Sequence, residues 1–142
     1  MFTITAKDSK DVAITGLGII GAKTKESEVS IFMHSGSYVS LGSDALNEDN
    51  WQEVYSNDKL NLVENEIVDV VLQEVVNIPA GSTASLYVSS KKELMYSPAR
   101  DSEFERYAES DDFFLNVGKT TKKEFKDFDK SAEFAGRFAY EA

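Results

Sequence analysis

Gly16-Leu17-Gly18-Ile19-Ile20-Gly21 has the G-x-G-x-x-G spacing that lets a backbone approach a dinucleotide pyrophosphate. That chemistry needs a helix opening on the glycines, so that its first amides meet the phosphates. The residues that follow, Ala22-Lys23-Thr24-Lys25-Glu26-Ser27-Glu28, are a charged stretch too short for a βαβ crossover, and another strand pattern begins at once. The acidic ribose ligand expected about 20 residues further on is also missing, because the next strand ends in Met33-His34-Ser35. The glycines therefore read as relief of a twisted strand, and no nucleotide cofactor is expected.

His34 is the one histidine in the chain. A Ser-His-Asp triad needs an imidazole and zinc sites usually need several, so a lone histidine at the polar end of a strand argues against both. With 25 acidic residues, neighbours such as Asp111-Asp112 or Glu48-Asp49 arise without any acid–base role. The segment Ser43-Asp44-Ala45-Leu46-Asn47-Glu48-Asp49-Asn50 crowds hard oxygen ligands, which makes calcium the one metal to consider, with Asp44 and Asp49 as ligands. It lacks the residue order of an EF-hand, and the alternative is a solvated acidic loop. Tyr38 and Trp51 flank this segment, and Tyr96 and Tyr107 flank the next acidic stretch. Rings of this kind stack on apolar sugar faces while their polar tips hydrogen-bond, so Tyr38 and Trp51 are the candidate ligand-binding residues, weighed against core packing of Trp51. No enzymatic constellation is complete, and the chain reads as a non-enzyme.

The elements that must carry these residues are strands. Val75-Val76-Asn77-Ile78 and Ser85-Leu86-Tyr87-Val88 are β-branched and aromatic runs on either side of Pro79-Ala80-Gly81-Ser82, where proline ends the first strand and the next residues turn the chain. Period-two alternation also marks Phe2 to Ala6, Val12 to Ile20, Val29 to His34, Trp51 to Tyr55, Val68 to Val71, Leu94 to Tyr96, Phe113 to Val117 and Phe134 to Tyr140. Lys23 to Ser27 reads as a charged loop, Tyr38 to Leu41 as a short extension, Gly42 to Asn50 as an acidic loop, and residues 97 to 111 as loop with a helical turn around Phe104 to Tyr107. Residues Leu60 to Val76 also fit a helix, but their β-branched content and the terminating proline favour strands. The expected fold is all-β: one domain over residues 1–142, an antiparallel two-sheet β-sandwich, jelly-roll-like, of about eight strands. Its inward residues are expected to include Ile14, Ile31, Val54, Val70, Ile78, Leu86, Val88, Leu115 and Phe138.

Composition bounds the partners. A chain of 142 residues with 42% hydrophobic content is the size of one ordinary domain. The net charge of −10 repels a phosphate backbone and an anionic lipid surface, and no apolar run approaches the roughly 20 residues that span a bilayer, so neither nucleic acid nor membrane insertion is expected. The absence of cysteine removes disulfides and thiolate chemistry. Met1 to Lys7 alternates like a strand and lacks the form of a leader, which fits either a cytosolic protein or a mature or excised domain.

The order of these signals resembles secreted β-sandwich repeat domains of unassigned activity, found in surface and extracellular proteins of diatoms and related algae. The resemblance runs from Met1-Phe2-Thr3-Ile4 and Val12 to Leu17, through Val29-Ser30-Ile31-Phe32 with Gly36-Ser37-Tyr38 and the Trp51 to Val54 strand. It continues in Ile78-Pro79-Ala80-Gly81-Ser82-Thr83, Leu86-Tyr87-Val88, Leu94 with Tyr96, and Phe134-x-Gly136-x-Phe138-x-Tyr140. Thr3 stands where that family usually has Asp, Lys130 is a poor substitute for its basic residue before the closing aromatic, and acidic residues 58 to 69 replace a glycine-rich segment. The resemblance implies a secreted or cell-surface adhesion module in carbohydrate-rich surroundings and carries over no catalytic residue. Function is expected to be non-catalytic recognition or adhesion, of polysaccharide or a protein partner. The alternative is a structural subunit that self-associates into a homo-oligomer.

Overall fold

A computed structural model describes residues 1–98 and 105–142. Twelve strands follow in the order β1 (Phe2–Ala6), β2 (Val12–Ile20), β3 (Lys25–Ser35), β4 (Gln52–Leu62), β5 (Ile67–Ile78), β6 (Thr83–Ser90), β7 (Ser97–Pro98), β8 (Arg106–Glu109), β9 (Phe113–Asn116), β10 (Gly118–Lys123), β11 (Lys126–Glu133) and β12 (Gly136–Glu141). Every strand pairing is antiparallel. A six-stranded sheet runs β4-β3-β6-β1-β9-β8, and it faces a three-stranded sheet β12-β2-β5. A third sheet, β10-β11-β7, is added beside these two. The all-β antiparallel sandwich is thus the fold, with three sheets in place of two and more strands than eight.

The alternation of the sequence fills the space between the two larger sheets. Ile4, Ile14, Ile31, Leu86 and Val76 are fully buried there, with Ile4 opposite Ala84 and Leu115 in the two ladders of β1. Of the residues expected to face inward, Val54, Val70, Ile78 and Leu115 are also buried, and Val88 and Phe138 are half-buried against the same core. The turn after Pro79 forms as expected: Ser82 N–H donates to the Pro79 carbonyl at 2.9 Å, and Gly81 supplies φ +74°. It joins strands of different sheets, since β5 pairs with β2 and β6 pairs with β1 and β3, so the reversal is a corner of the sandwich.

The six-stranded sheet is apolar on its outer face as well. Phe32 and Tyr87, neighbours of Ile31 and Leu86 along their strands, point the other way and join Met1, Tyr38, Ala45 and Trp51 in a second buried cluster. Two pieces cover it. One is the segment after β3, which forms 3-10 turns over Tyr38–Leu46 and Glu48–Asn50 where an extension and an open acidic loop were expected. The other is the β10–β11 hairpin, whose Phe125 and Phe128 pack against the cluster. Residues 118–133 show too little apolar alternation to read as strands, because the inward anchor Phe125 sits in the turn itself at φ +53°.

Other differences are local. β3 begins at Lys25 inside the expected charged loop, and β5 is one continuous strand spanning both expected pieces. Between the Ile14–Val76 and Gly16–Val71 pairs β5 bulges, so a break in the inward pattern is a bulge and not a strand end. Leu94 makes one bridge to Gly21, and no strand spans residues 94–96. Arg106–Glu109 is a strand where a helical turn was expected, and Phe104 lies outside the described residues. Among the described residues no helix is long and apolar enough to cross a membrane.

Candidate functional site

The G-x-G-x-x-G run lies in β2 and at its end, with no helix after it. A Cβ on Gly16 would come 2.8 Å from the Val70 carbonyl oxygen, and one on Gly21 would come 2.8 Å from the Leu62 Cβ. Gly18 lies between Arg137 on β12 and Asp69 on β5 in the ladder, and its missing side chain lets those two reach across β2. Arg137 Nε donates to Asp69 Oδ1 at 2.8 Å, with a second contact from its terminal nitrogen to Oδ2. The guanidinium holds the Asp69 carboxyl below its ordinary range. These glycines serve the packing of β2 against its neighbours.

The expected site around the acidic segment is built differently from the sequence reading. Tyr38 is 2% exposed and Trp51 is 8% exposed, so both rings are interior groups of the second cluster and offer no open face to a sugar. Trp51 lies between the rings of Tyr87, Phe125 and His34, at centroid distances of 5.8, 6.3 and 5.9 Å, and its Nε1–H donates to the Ala45 carbonyl at 2.9 Å. Tyr38 N–H donates to the buried Ser85 hydroxyl at 2.7 Å, which in turn donates to the Gly36 carbonyl at 2.8 Å. Asp44 and Asp49 are exposed. Their backbone groups close the 3-10 turns: the Asp44 carbonyl accepts from the Asn47 amide and the Asn50 side chain, and the Asp49 amide donates to Asn47 Oδ1. Among the described residues no group of three or more His, Asp or Glu side chains converges on a metal position. His34 Nδ1 donates to the Asn50 carbonyl at 3.0 Å, so the imidazole fastens this segment to β3.

A concave feature among the described residues lies elsewhere, between the connection after β6 and the β10–β11 hairpin. It encloses about 410 Å³, within the range of small-ligand sites. Its floor is the end of β6, from Tyr87 to Ser90, with Met1, Phe2, Ile19 and Ile20. One wall is Lys91 to Tyr96, and the other is Lys119 to Glu124 with Ala132 to Ala135.

Each wall is fixed by hydrogen bonds that the strand pattern alone does not reveal. The first hangs on Ser27, a buried residue whose hydroxyl meets Ser90 Oγ at 2.8 Å and accepts from the Lys92 amide at 3.0 Å. Further along, Ala22 N–H donates to Glu93 and Met95 N–H to Ile20 at 3.0 and 2.8 Å, and Lys91 pairs with Glu28 at 2.9 Å. The second wall hangs on Tyr87, whose hydroxyl meets Thr121 Oγ1 at 2.7 Å and accepts from the Phe125 amide at 3.0 Å. Burial pushes the Tyr87 phenol above its ordinary range. Glu124 accepts from Ser89 at 2.6 Å across the base of the cleft. Gly118 lets β10 lie against the start of β1, where Lys119 N–H donates to the Met1 carbonyl at 2.9 Å; a Cβ at 118 would fall 1.8 Å from that oxygen.

The lining combines two exposed apolar groups, Met95 at 42% and Tyr96 at 39%, with the hydroxyls of Ser89, Ser90, Thr120 and Thr121, each of which already holds one partner within the protein: Glu124, Ser27, the Lys130 backbone and Tyr87. The lining holds no histidine, and Ser89 with Glu124 makes a hydroxyl–carboxylate pair in it. Of the aromatic residues singled out from the sequence, Tyr96 alone lies here; the lysines and hydroxyls were missed because they come from segments far apart in the chain. Comparisons with protein-family models, with curated proteins and with solved structures each gave no match.

Proposed function

We propose that this protein is a non-catalytic recognition module and that the cleft between residues 91–96 and the β10–β11 hairpin is the seat of a carbohydrate ligand. The observation that carries the reading is the open Tyr96 ring at the mouth of a concave site lined by hydroxyl groups. A ring of this kind covers the apolar face of a sugar while neighbouring hydroxyls exchange hydrogen bonds with its own. The resemblance to secreted algal β-sandwich repeats supports a setting at the cell surface, where adhesion to polysaccharide is the use of such a module.

Affinity electrophoresis through gels containing neutral and acidic polysaccharides tests this. At least one polysaccharide retards the protein, and Tyr96→Ala weakens the retardation about fivefold, the effect of losing one stacking contact of about 1 kcal/mol. Retardation by none of them refutes the reading.

A second reading, self-association, rests on a different observation. On the outward side of β5, Val71 is 80% exposed and Val75 48% exposed, on a sheet whose middle strand carries glycine at positions 16 and 18. Exposed apolar side chains beside Gly16, next to the Arg137–Asp69 pair that crosses Gly18, suit a second copy. Light scattering that shows a concentration-dependent oligomer, abolished by Val71→Lys, supports it; a monomer at all concentrations removes it.

A further inference from the structure

The cleft carries a small local excess of positive charge on an acidic protein. The chain carries −10 overall, yet the cleft is lined by five lysines against three glutamates. Two of the five are occupied: Lys91 pairs with Glu28, and Lys119 lies over the Phe128 ring at 5.4 Å. Glu124 accepts from the Ser89 hydroxyl and keeps its charge, so with Lys91 paired outside the cleft four lysines stand against Glu93, Glu124 and Glu133. Lys92, Lys122 and Lys123 are exposed and make no ion pair among the described residues. They belong to the two walls, which hydrogen bonds from the Lys92 and Phe125 amides to the Ser27 and Tyr87 hydroxyls fix in place.

We infer that the ligand of this cleft is anionic, an acidic glycan segment whose carboxylate or sulfate groups are met by Lys92, Lys122 and Lys123 while Tyr96 covers a sugar face. This rests on the recognition reading above and adds the charge of the ligand to it. The mixed character of the lining, cationic with one open ring, selects an acidic glycan among polyanions. An acidic peptide has the charge but no ring face for Tyr96. A uronate or sulfated sugar offers spaced charges, an apolar ring face and hydroxyls, which together match lysines, an open ring and hydroxyl-bearing strands.

Titration calorimetry with polygalacturonate, a sulfated galactan, a neutral glucan, oligo(dT) and polyglutamate separates the outcomes. The expected result is binding to a carboxylated or sulfated glycan that weakens at least about tenfold between about 20 mM and about 300 mM salt, as the screening length shortens. The triple substitution Lys92→Gln, Lys122→Gln and Lys123→Gln lowers that affinity about tenfold, each exposed contact contributing about two- to fivefold. Unchanged Trp51 fluorescence confirms that the fold is intact. The carboxylated and sulfated arms tell which anion is read. A neutral glucan bound as tightly as the acidic ones, lost in Tyr96→Ala and untouched by the triple substitution, overturns the charge inference and leaves the recognition reading standing. Binding of no glycan overturns both. Oligo(dT) or polyglutamate bound more tightly than either acidic glycan, with the same lysine dependence, overturns the glycan assignment.

Discussion

Phe125 holds one wall of the cleft from the opposite side of the hairpin, and its replacement tests how that wall is built. Its ring meets Phe32 and Tyr87 edge to face, each at a centroid distance of 4.9 Å, and lies 6.3 Å from Trp51. The residue is half-buried, so Phe125→Ala forfeits about 1.5 kcal/mol of apolar transfer. Two aromatic pairs at about 0.5 kcal/mol each bring the loss to about 2.5 kcal/mol. Backbone conformation adds a second expectation. At φ +53° any L side chain is strained, and glycine is not, so Phe125→Gly destabilises less than Phe125→Ala by about 0.5–1 kcal/mol although it removes more atoms. Urea denaturation monitored by far-UV circular dichroism gives both values, and the fluorescence of the single tryptophan shifts to the red in both variants as Trp51 gains water. An alanine variant as stable as the parent, with unchanged Trp51 emission, would falsify the anchoring role. A glycine variant less stable than the alanine one would remove the strain argument.

Gly118→Ala places a Cβ on the Met1 carbonyl oxygen and cannot be relieved by a side-chain rotation, because the Cβ is fixed by its own backbone and the atoms it meets are backbone. It is expected to cost more than about 3 kcal/mol, read as a fall in the denaturation midpoint, and an unshifted midpoint contradicts the close approach of β10 to β1. Alkaline pH provides a check on the phenols. Burial raises the Tyr107 phenol far above its ordinary value, and its hydroxyl donates to the Phe134 carbonyl at 3.1 Å. A pKa raised in the folded state gives stability that is complete below the unfolded value near pH 10 and is lost as pH climbs toward the folded one. Tyr107→Phe is therefore expected to flatten the fall in stability above about pH 10 and to remove the latest part of the tyrosinate absorbance rise. An identical alkaline profile in that variant refutes the assignment.

Much of the fold is a local matter and was legible in the chain. Alternation of apolar residues in β1, β2, β3, β6 and β9 determined which side of each strand faces the core, since side chains of a strand point to opposite faces in turn. Pro79 and Gly81 determined a turn through fixed and permissive φ values. The glycines of β2 were correctly read as strand glycines because no helix fits the 22–28 segment. Which sheets those strands join, and that the Pro79 turn passes between two of them, depends on long-range pairing that no local pattern encodes.

The second cluster and the cleft belong wholly to the tertiary structure. Phe32 and Tyr87 look outward by the same alternation that turns Ile31 and Leu86 inward, so only the docking of residues 38–50 and of the β10–β11 hairpin makes them interior. Trp51 and Tyr38 are the same case: their chemistry suits an open platform, and burial decides against it. Lys92 and Lys122 stand 30 positions apart in a chain whose overall charge is negative. Composition averages such charges away, whereas Ser27, Tyr87 and Gly118 bring the segments that carry them to opposite sides of one cleft. Sequence determined the strands of the main core because φ/ψ preference and side-chain alternation act between near neighbours; the β10–β11 hairpin and the site were decided by contacts between segments distant in the chain, which only the packed structure brings together.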